Sequence, residues 1–130
     1  MQIHTEVFGE TDQVSTESDI ASLVWDGGKL AIKLAQMRRD SIVLGLDIMF
    51  LDVRAFRVLD ESELSRYWIS PNYVGQSHVL KVLAGGWCSE ESDLQGITQT
   101  PQEWLVVTGN ACVSVIAVQQ PAVLHSSWTW

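Results

Sequence analysis

The chain is poor in cysteine and has no long apolar run, and each shortage removes a class of protein. Cys88 and Cys112 are its only cysteines. Two cysteines cannot form a disulfide-rich secreted framework, or a zinc site without histidines at suitable spacing. The longest apolar run, residues 42–53, is interrupted by Asp47 and Asp52 and is too short to span a membrane. The first residues also lack the basic and apolar regions of a signal peptide. We therefore expect a soluble, cytoplasmic protein with reduced thiols.

Basic residues are scarce as well. The 130 residues include sixteen acidic side chains and eight basic ones, which gives a formal net charge of −8. This charge repels phosphate groups and anionic lipids, so binding to nucleic acid or to a membrane surface is disfavoured. It would attract a basic protein, although solubility alone is a simpler explanation of the same charge.

The sequence also lacks the motifs of common catalytic and metal sites. It contains no GxSxG, HExxH or CxxC motif, no calcium-loop spacing and no glycine-rich phosphate-binding loop. His4 and His125 lie near the termini, which leaves His78 as the central histidine. A small hydrolase-like enzyme with a site near His78 and Asp47 is the catalytic alternative. The non-catalytic interpretation takes His78 as a strand histidine with a local hydrogen bond and Asp47 as an outward strand residue. We expect no cofactor and no metal.

Length and an apolar content of 46% predict one globular domain over residues 1–130. Within it, the segment IASLVWDGGKLAIKLA predicts a β-hairpin, because Gly27-Gly28 supplies the positive φ angles that a two-residue loop requires. One face of this hairpin is apolar and the other is mixed. The predicted pairs are Trp25 with Leu30, Leu23 with Ile32 and Ala21 with Leu34 on the apolar face, and Asp26 with Lys29 and Ser22 with Lys33 on the other.

A second hairpin is predicted in EWLVVTGNACVSVIAV, around Gly109-Asn110. Both of its faces are apolar, which is typical of strands that are covered on both sides in the centre of a sheet or under a helix. The predicted pairs are Trp104 with Val115, Val106 with Val113, and Val107 with Cys112.

Further strands are predicted from alternation and β-branched content. Residues 42–51 form one strand, which continues through a bulge near Asp52 into VRAFRVL. Residues 77–83 form another, and the first ten residues add an edge strand.

The segment LDESELSRYW predicts a helix. Asp60 is its N-cap, Glu63 completes a capping box, and the helix closes at Ser70 before Pro71. Ser89 caps a second short helix in an alternative interpretation of residues 84–96. The predicted fold class is α+β, a mainly antiparallel β-sheet with one or two short helices.

The segment AGGWCSEESDLQG carries the residues that we predict to bind a partner. Trp87 is an apolar anchor surrounded by Glu90, Glu91 and Asp93, an arrangement found in protein-recognition patches. The alternative is the short helix capped by Ser89, with Trp87 packed into the core. At the carboxyl end, Trp128 and Trp130 either dock on the body of the protein or contact another chain.

Three segments, VRAFRVLDESELSRYW, GGW and EWLVVTGNACVSVIA, resemble bacterial immunity proteins of polymorphic toxin systems. The resemblance covers roughly residues 53–117 and transfers no site residues. It implies a cytoplasmic single-domain inhibitor that neutralises a basic toxin through its acidic surface and carries out no reaction. The alternatives are the enzyme with a site near His78 and Asp47, and a homo-oligomer, a homodimer for example, that pairs through an exposed strand edge or the Trp tail.

Overall fold

The computed structural model describes residues 4–9, 14, 17–60, 77–84 and 102–129. These residues form nine strands in two antiparallel sheets. The five-stranded sheet has the order β1-β6-β7-β8-β5 and the four-stranded sheet has the order β2-β3-β4-β9. The strands are β1 (His4–Val7), β2 (Asp19–Asp26), β3 (Lys29–Arg39), β4 (Ile42–Phe50), β5 (Val53–Asp60), β6 (Val79–Ala84), β7 (Gln102–Val107), β8 (Ala111–Ala117) and β9 (Ala122–Thr129).

The predicted α+β class is wrong for this part of the chain, which is all-β. Leu59 and Asp60, assigned to the start of the helix, are the last residues of β5 and pair with Cys112 and Ala111. An N-cap residue has an extended backbone, so a capping pattern by itself does not separate a helix start from a strand end. Residues 61–70, and the second predicted helix at Ser89, lie outside the described residues. No helix in the described part of the chain could cross a membrane.

The two sheets pack face to face and enclose the main core. In each strand alternate side chains point toward the opposite sheet, as a β-strand requires. Trp104 of the five-stranded sheet lies at the centre of this core, with its ring 6.4 Å from that of Phe50 and 4.8 Å from that of Phe8. The four-stranded sheet contributes Leu30, Ile32, Leu34, Leu46, Ile48 and Phe50 to the core, and the five-stranded sheet contributes Val53, Val79, Trp104, Val106, Val113, Val115 and Ala117.

The hairpin around Gly27-Gly28 is confirmed, with φ angles of 59° and 90° at the two glycines. The register follows the prediction from Asp26↔Lys29 to Ser22↔Lys33. A bulge then intervenes, so Leu34 pairs with Ile20 instead of Ala21. Lys29–Arg39 also pairs with Ile42–Phe50 through a short turn in which Asp40 takes a φ of 58°.

The second hairpin has the predicted register, with Trp104 opposite Val115 and Val107 opposite Cys112. Its strands are central in the five-stranded sheet and buried on both faces, as predicted. The turn closes through the Thr108 hydroxyl, which accepts hydrogen bonds from the backbone N–H groups of Asn110 and Ala111. Neither turn residue between Thr108 and Ala111 has a positive φ, so this loop is not a primed turn.

The chain passes from one sheet to the other at Asp52. The predicted bulge within one continuous strand is therefore wrong at this position. Ile42–Phe50 belongs to the four-stranded sheet and Val53–Asp60 to the five-stranded sheet. Asp52 turns the chain with a φ of 54°, a conformation that aspartate tolerates better than most residues. The Val53 N–H donates to the Gly28 carbonyl at 2.7 Å, which fixes the corner against the first hairpin.

Candidate functional site

The predicted partner-binding residues Trp87, Glu90, Glu91 and Asp93 lie outside the described residues. Their role as a recognition patch therefore stays a prediction. In the described part of the chain, the candidate catalytic groups are titratable side chains.

His78 is completely buried and lies directly before β6. Its Nδ1 lies 2.7 Å from the Val107 carbonyl oxygen, and a carbonyl can only accept, so Nδ1 carries the proton. The His78 carbonyl in turn accepts from the Val107 N–H at 2.8 Å. His78 thus makes a structural hydrogen bond to β7, as the non-catalytic interpretation expected in part, although it lies just before a strand and not within one.

Asp47 is exposed on the outer face of the four-stranded sheet, as the outward-strand interpretation predicted. His78 is buried beside a strand of the other sheet, so the structure does not bring the two residues into one site. The proposed catalytic pair therefore has no geometric basis.

Cys112 also fails as a nucleophile. Burial, followed by the negative charge of Glu103, raises the pKa of its thiol, and the lowering effect of Arg57 is smaller. A thiol held protonated in this way is unreactive. The strand β7 lies between Cys112 and His78, so their backbones are about 10 Å apart, or two strand spacings.

The outer face of the five-stranded sheet carries a buried polar pair. The Ser114 hydroxyl donates to the Glu103 carboxylate at 2.6 Å, and both residues are buried. They lie beside a second apolar cluster formed by Leu59, Leu80, Val82, Leu105, Val107 and Cys112. A buried carboxylate that accepts such a hydrogen bond fixes the local structure, and its burial keeps it from an external ligand. The described residues hold no group of three or more potential metal ligands.

The outer face of the four-stranded sheet is different because it is open. A groove of about 370 Å³ runs across all four strands. Two neighbouring rows of the register line it, one being Ser22-Lys33-Asp47-Leu124 and the other Val24-Ala31-Met49-Ala122. The small alanines of the second row make the surface concave.

Trp128 closes one end of this outer face. Its ring lies against Gly45, where a Cβ atom would come within 2.7 Å of the ring and would also meet the Leu34 carbonyl oxygen. The absence of a side chain at Gly45 therefore allows the indole to lie flat on the sheet. Lys33 places its Nζ 4.9 Å from the centre of the Trp128 ring, a cation–π contact. Of the two predicted outcomes for this tryptophan, the structure shows docking on the body.

The groove thus combines exposed apolar side chains with one exposed carboxylate. Leu124 and Val24 are 67% and 58% exposed, and Asp47 is exposed between them. Lys33 also lines the groove and keeps its positive charge beside Trp128, so the groove carries one positive and one negative side chain within an apolar frame. A surface of this kind binds another protein surface more readily than it catalyses a reaction.

Part of this groove could be predicted from the sequence. The predicted Ser22–Lys33 pair already placed both residues on the polar face of the first hairpin. The contribution of Asp47 and Leu124 depends on the pairing of β4 with β9, and no turn connects those strands to indicate their register. A non-local pairing of this kind leaves little trace in the sequence.

Comparisons of this chain with protein families, with curated proteins and with solved structures find no match.

Proposed function

We propose that this chain is a non-catalytic protein-binding domain whose binding surface is the open groove of the four-stranded sheet. The observation that carries the proposal is the exposure of Leu124, Val24 and Asp47 around one concave surface. Side chains that are apolar and exposed together are the usual mark of a protein contact.

The partner is a basic protein. Asp47 would meet a lysine or arginine of the partner, while Leu124 and Met49 would contact apolar atoms beside that charge. The net charge of −8 would increase the association rate over a longer range. Nine acidic and seven basic residues lie in the described part of the chain, so most of the negative charge belongs to the remaining stretches. Long-range electrostatic attraction of the partner and direct contact in the groove are therefore separable contributions to binding.

An immunity protein that neutralises a basic toxin in the cytoplasm is the specific form of this proposal. The sequence resemblance and the acidic charge support it, and the absence of an assembled catalytic group in the described residues is compatible with it. Residues Trp87, Glu90, Glu91 and Asp93 would add a second contact region. The enzyme alternative loses support because His78 is buried and apart from Asp47.

The test begins with capture of a partner from the native host and its purification. Binding is then measured for the wild type and for Asp47→Lys, which replaces the one carboxylate of the groove lining by a positive charge. We expect at least a tenfold weaker affinity, equivalent to about 1.4 kcal/mol, together with a smaller salt dependence.

Val58→Lys is the matched control, because Val58 is an exposed strand residue of the other sheet. Equal affinities for the wild type and both variants would exclude the groove as the binding surface. The immunity role is tested separately, by asking whether co-expression of this chain protects cells from the captured protein.

A further inference from the structure

The free edge of β9 differs from the other three sheet edges. Each of the others carries a feature that discourages pairing with another chain. β1 is four residues long, contains Glu6 and has a bulge. β2 begins and ends with an aspartate and has a bulge. β5 contains Arg54 and Arg57 and has a bulge.

β9 has none of these features. It spans eight residues, AVLHSSWT, with no aspartate, glutamate, lysine, arginine or proline. Its register with β4 runs without a shift from Ala122 to Thr129. It is the last strand of its sheet, and no other strand in the described part of the chain pairs with its free side. A long, regular and uncharged edge is a template for an additional strand.

We propose that a second copy of this chain pairs antiparallel along β9, so that two four-stranded sheets join into one eight-stranded sheet. A two-fold axis makes each residue of one strand face the corresponding residue of the other, and an interface of this type needs no second kind of surface. Side chains that face each other must lie on the same face of the joined sheet. The longest pairings that satisfy this condition are centred on His125 or on Ser126.

Charge favours a second copy over a charged partner strand at this edge. β9 contains no Asp, Glu, Lys or Arg that would select a basic or acidic segment, and two copies bring no such side chains together at the seam. The nearest outer-face carboxylates on either side are the two copies of Asp47, one strand further in. Three strand spacings separate them, about 14 Å, which exceeds the screening length of about 8 Å at physiological salt. The repulsion expected from an acidic chain is therefore weak here.

This dimer does not depend on the proposed function, because His125 does not line the groove. If both inferences hold, pairing along β9 places two grooves side by side on one continuous outer face. A bivalent partner would then bind more tightly than a monovalent one.

The experiment measures molecular mass by sedimentation equilibrium from about 1 to about 500 μM, the range in which a weak dimer is detected. We expect a concentration-dependent dimer for the wild type. His125→Lys, which brings two like charges together across the seam, should weaken dimerisation about two- to fivefold. Ala21→Lys on the opposite edge strand is the control and should leave it unchanged. A wild type that stays monomeric over the whole concentration range would overturn the proposal. So would an equal loss of dimerisation affinity in His125→Lys and Ala21→Lys.

Crosslinking gives a second and independent test. In a Cys88→Ser background, the single variant His125→Cys and the double variant His125→Cys with Ser127→Cys are oxidised under mild conditions, and a disulfide forms only where the two Cβ atoms approach closely. The single variant tests a pairing centred on His125, and the double variant also tests one centred on Ser126, which brings residue 125 opposite residue 127. We expect at least one of the two variants to give a covalent dimer. A lack of crosslinking in both would contradict pairing along β9. A monomer that instead captures a strand of another protein would show that the edge serves a different partner.

Discussion

The outer faces of the two sheets differ in almost every respect. On the five-stranded sheet, Leu105 and Ser114 are fully buried and surrounded by a second apolar cluster. On the four-stranded sheet, Leu124 is 67% exposed and Asp47 is open to solvent. Both sheets use the same alternation of side chains, yet only one has a face left for contact with another molecule. We propose on this basis that the buried face serves stability and that the exposed face serves recognition.

The comparison is tested most strongly by removing one leucine from each outer face. Leu105→Ala leaves a cavity in a packed region and should lower the free energy of unfolding by about 2–5 kcal/mol. Leu124→Ala removes a side chain that is mostly exposed, and its effect should stay within about 0.5 kcal/mol. Denaturant titration of both variants measures the two values. Equal losses of unfolding free energy in the two variants would show that the two outer faces do not differ as described.

A second test compares two buried hydroxyl groups. Ser114 donates to the buried Glu103 carboxylate, so Ser114→Ala should cost about 1.5–3 kcal/mol. The Ser126 hydroxyl, on the open sheet, is buried with no hydrogen-bond partner in the described structure. Ser126→Ala should therefore be neutral or slightly stabilising. Thermal unfolding of the two variants measures the difference in stability between them. A larger loss of stability in Ser126→Ala than in Ser114→Ala would show that the two hydroxyl groups do not differ as described.

A substitution at Gly45 tests whether the position of the Trp128 ring depends on close packing against the four-stranded sheet. Gly45→Ala introduces a Cβ atom against the indole ring and the Leu34 carbonyl, and should cost about 1–3 kcal/mol. The substitution should also shift the indole N–H signal of Trp128 in an NMR spectrum. A stable variant with an unshifted signal would mean that the ring does not lie on Gly45.

The smallest effect is a dependence on pH that originates in the five-stranded sheet. Burial raises the pKa of the Cys112 thiol above its ordinary value of 9.0. In alkaline solution the unfolded chain loses this proton while the folded chain keeps it, so stability falls as pH rises above 9. The fall should approach about 1.4 kcal/mol per pH unit.

Cys112→Ala should remove this contribution, so the difference between the two proteins isolates it from other titrating groups. Unfolding titrations at about pH 8 and pH 10 measure the difference. Identical pH slopes for the wild type and the variant would contradict the burial of the thiol.

Much of the strand pairing could be predicted from the sequence because it is local. The Gly27-Gly28 loop and the alternation around it set the register from Trp25↔Leu30 outward, and two apolar faces predicted the central position of the second hairpin. The bulge at Ala21 escaped prediction because Ala21 is itself apolar, so it continues the alternation of Trp25 and Leu23 in the sequence although Ile20 takes its place in the register. The corner at Asp52 escaped for a similar reason, since both flanking strands alternate in the same way.

β9 and the groove could not be predicted in this manner. An edge strand that is exposed on both faces needs no regular apolar alternation, so AVLHSSWT gives only a weak strand signal. The groove arises only when β9 pairs with β4, which brings Leu124 beside Asp47. The predicted patch at Trp87 was found from local composition instead, and it stays a prediction.

Hydroxyl-radical footprinting of the purified complex is the most direct test of the groove as the binding surface. Our account predicts that partner binding protects Met49 and Leu124 from oxidation, and that the exposed Val58 and Leu83 of the other sheet react as before. Protection confined to Val58 and Leu83, with Met49 and Leu124 unchanged, would contradict the account.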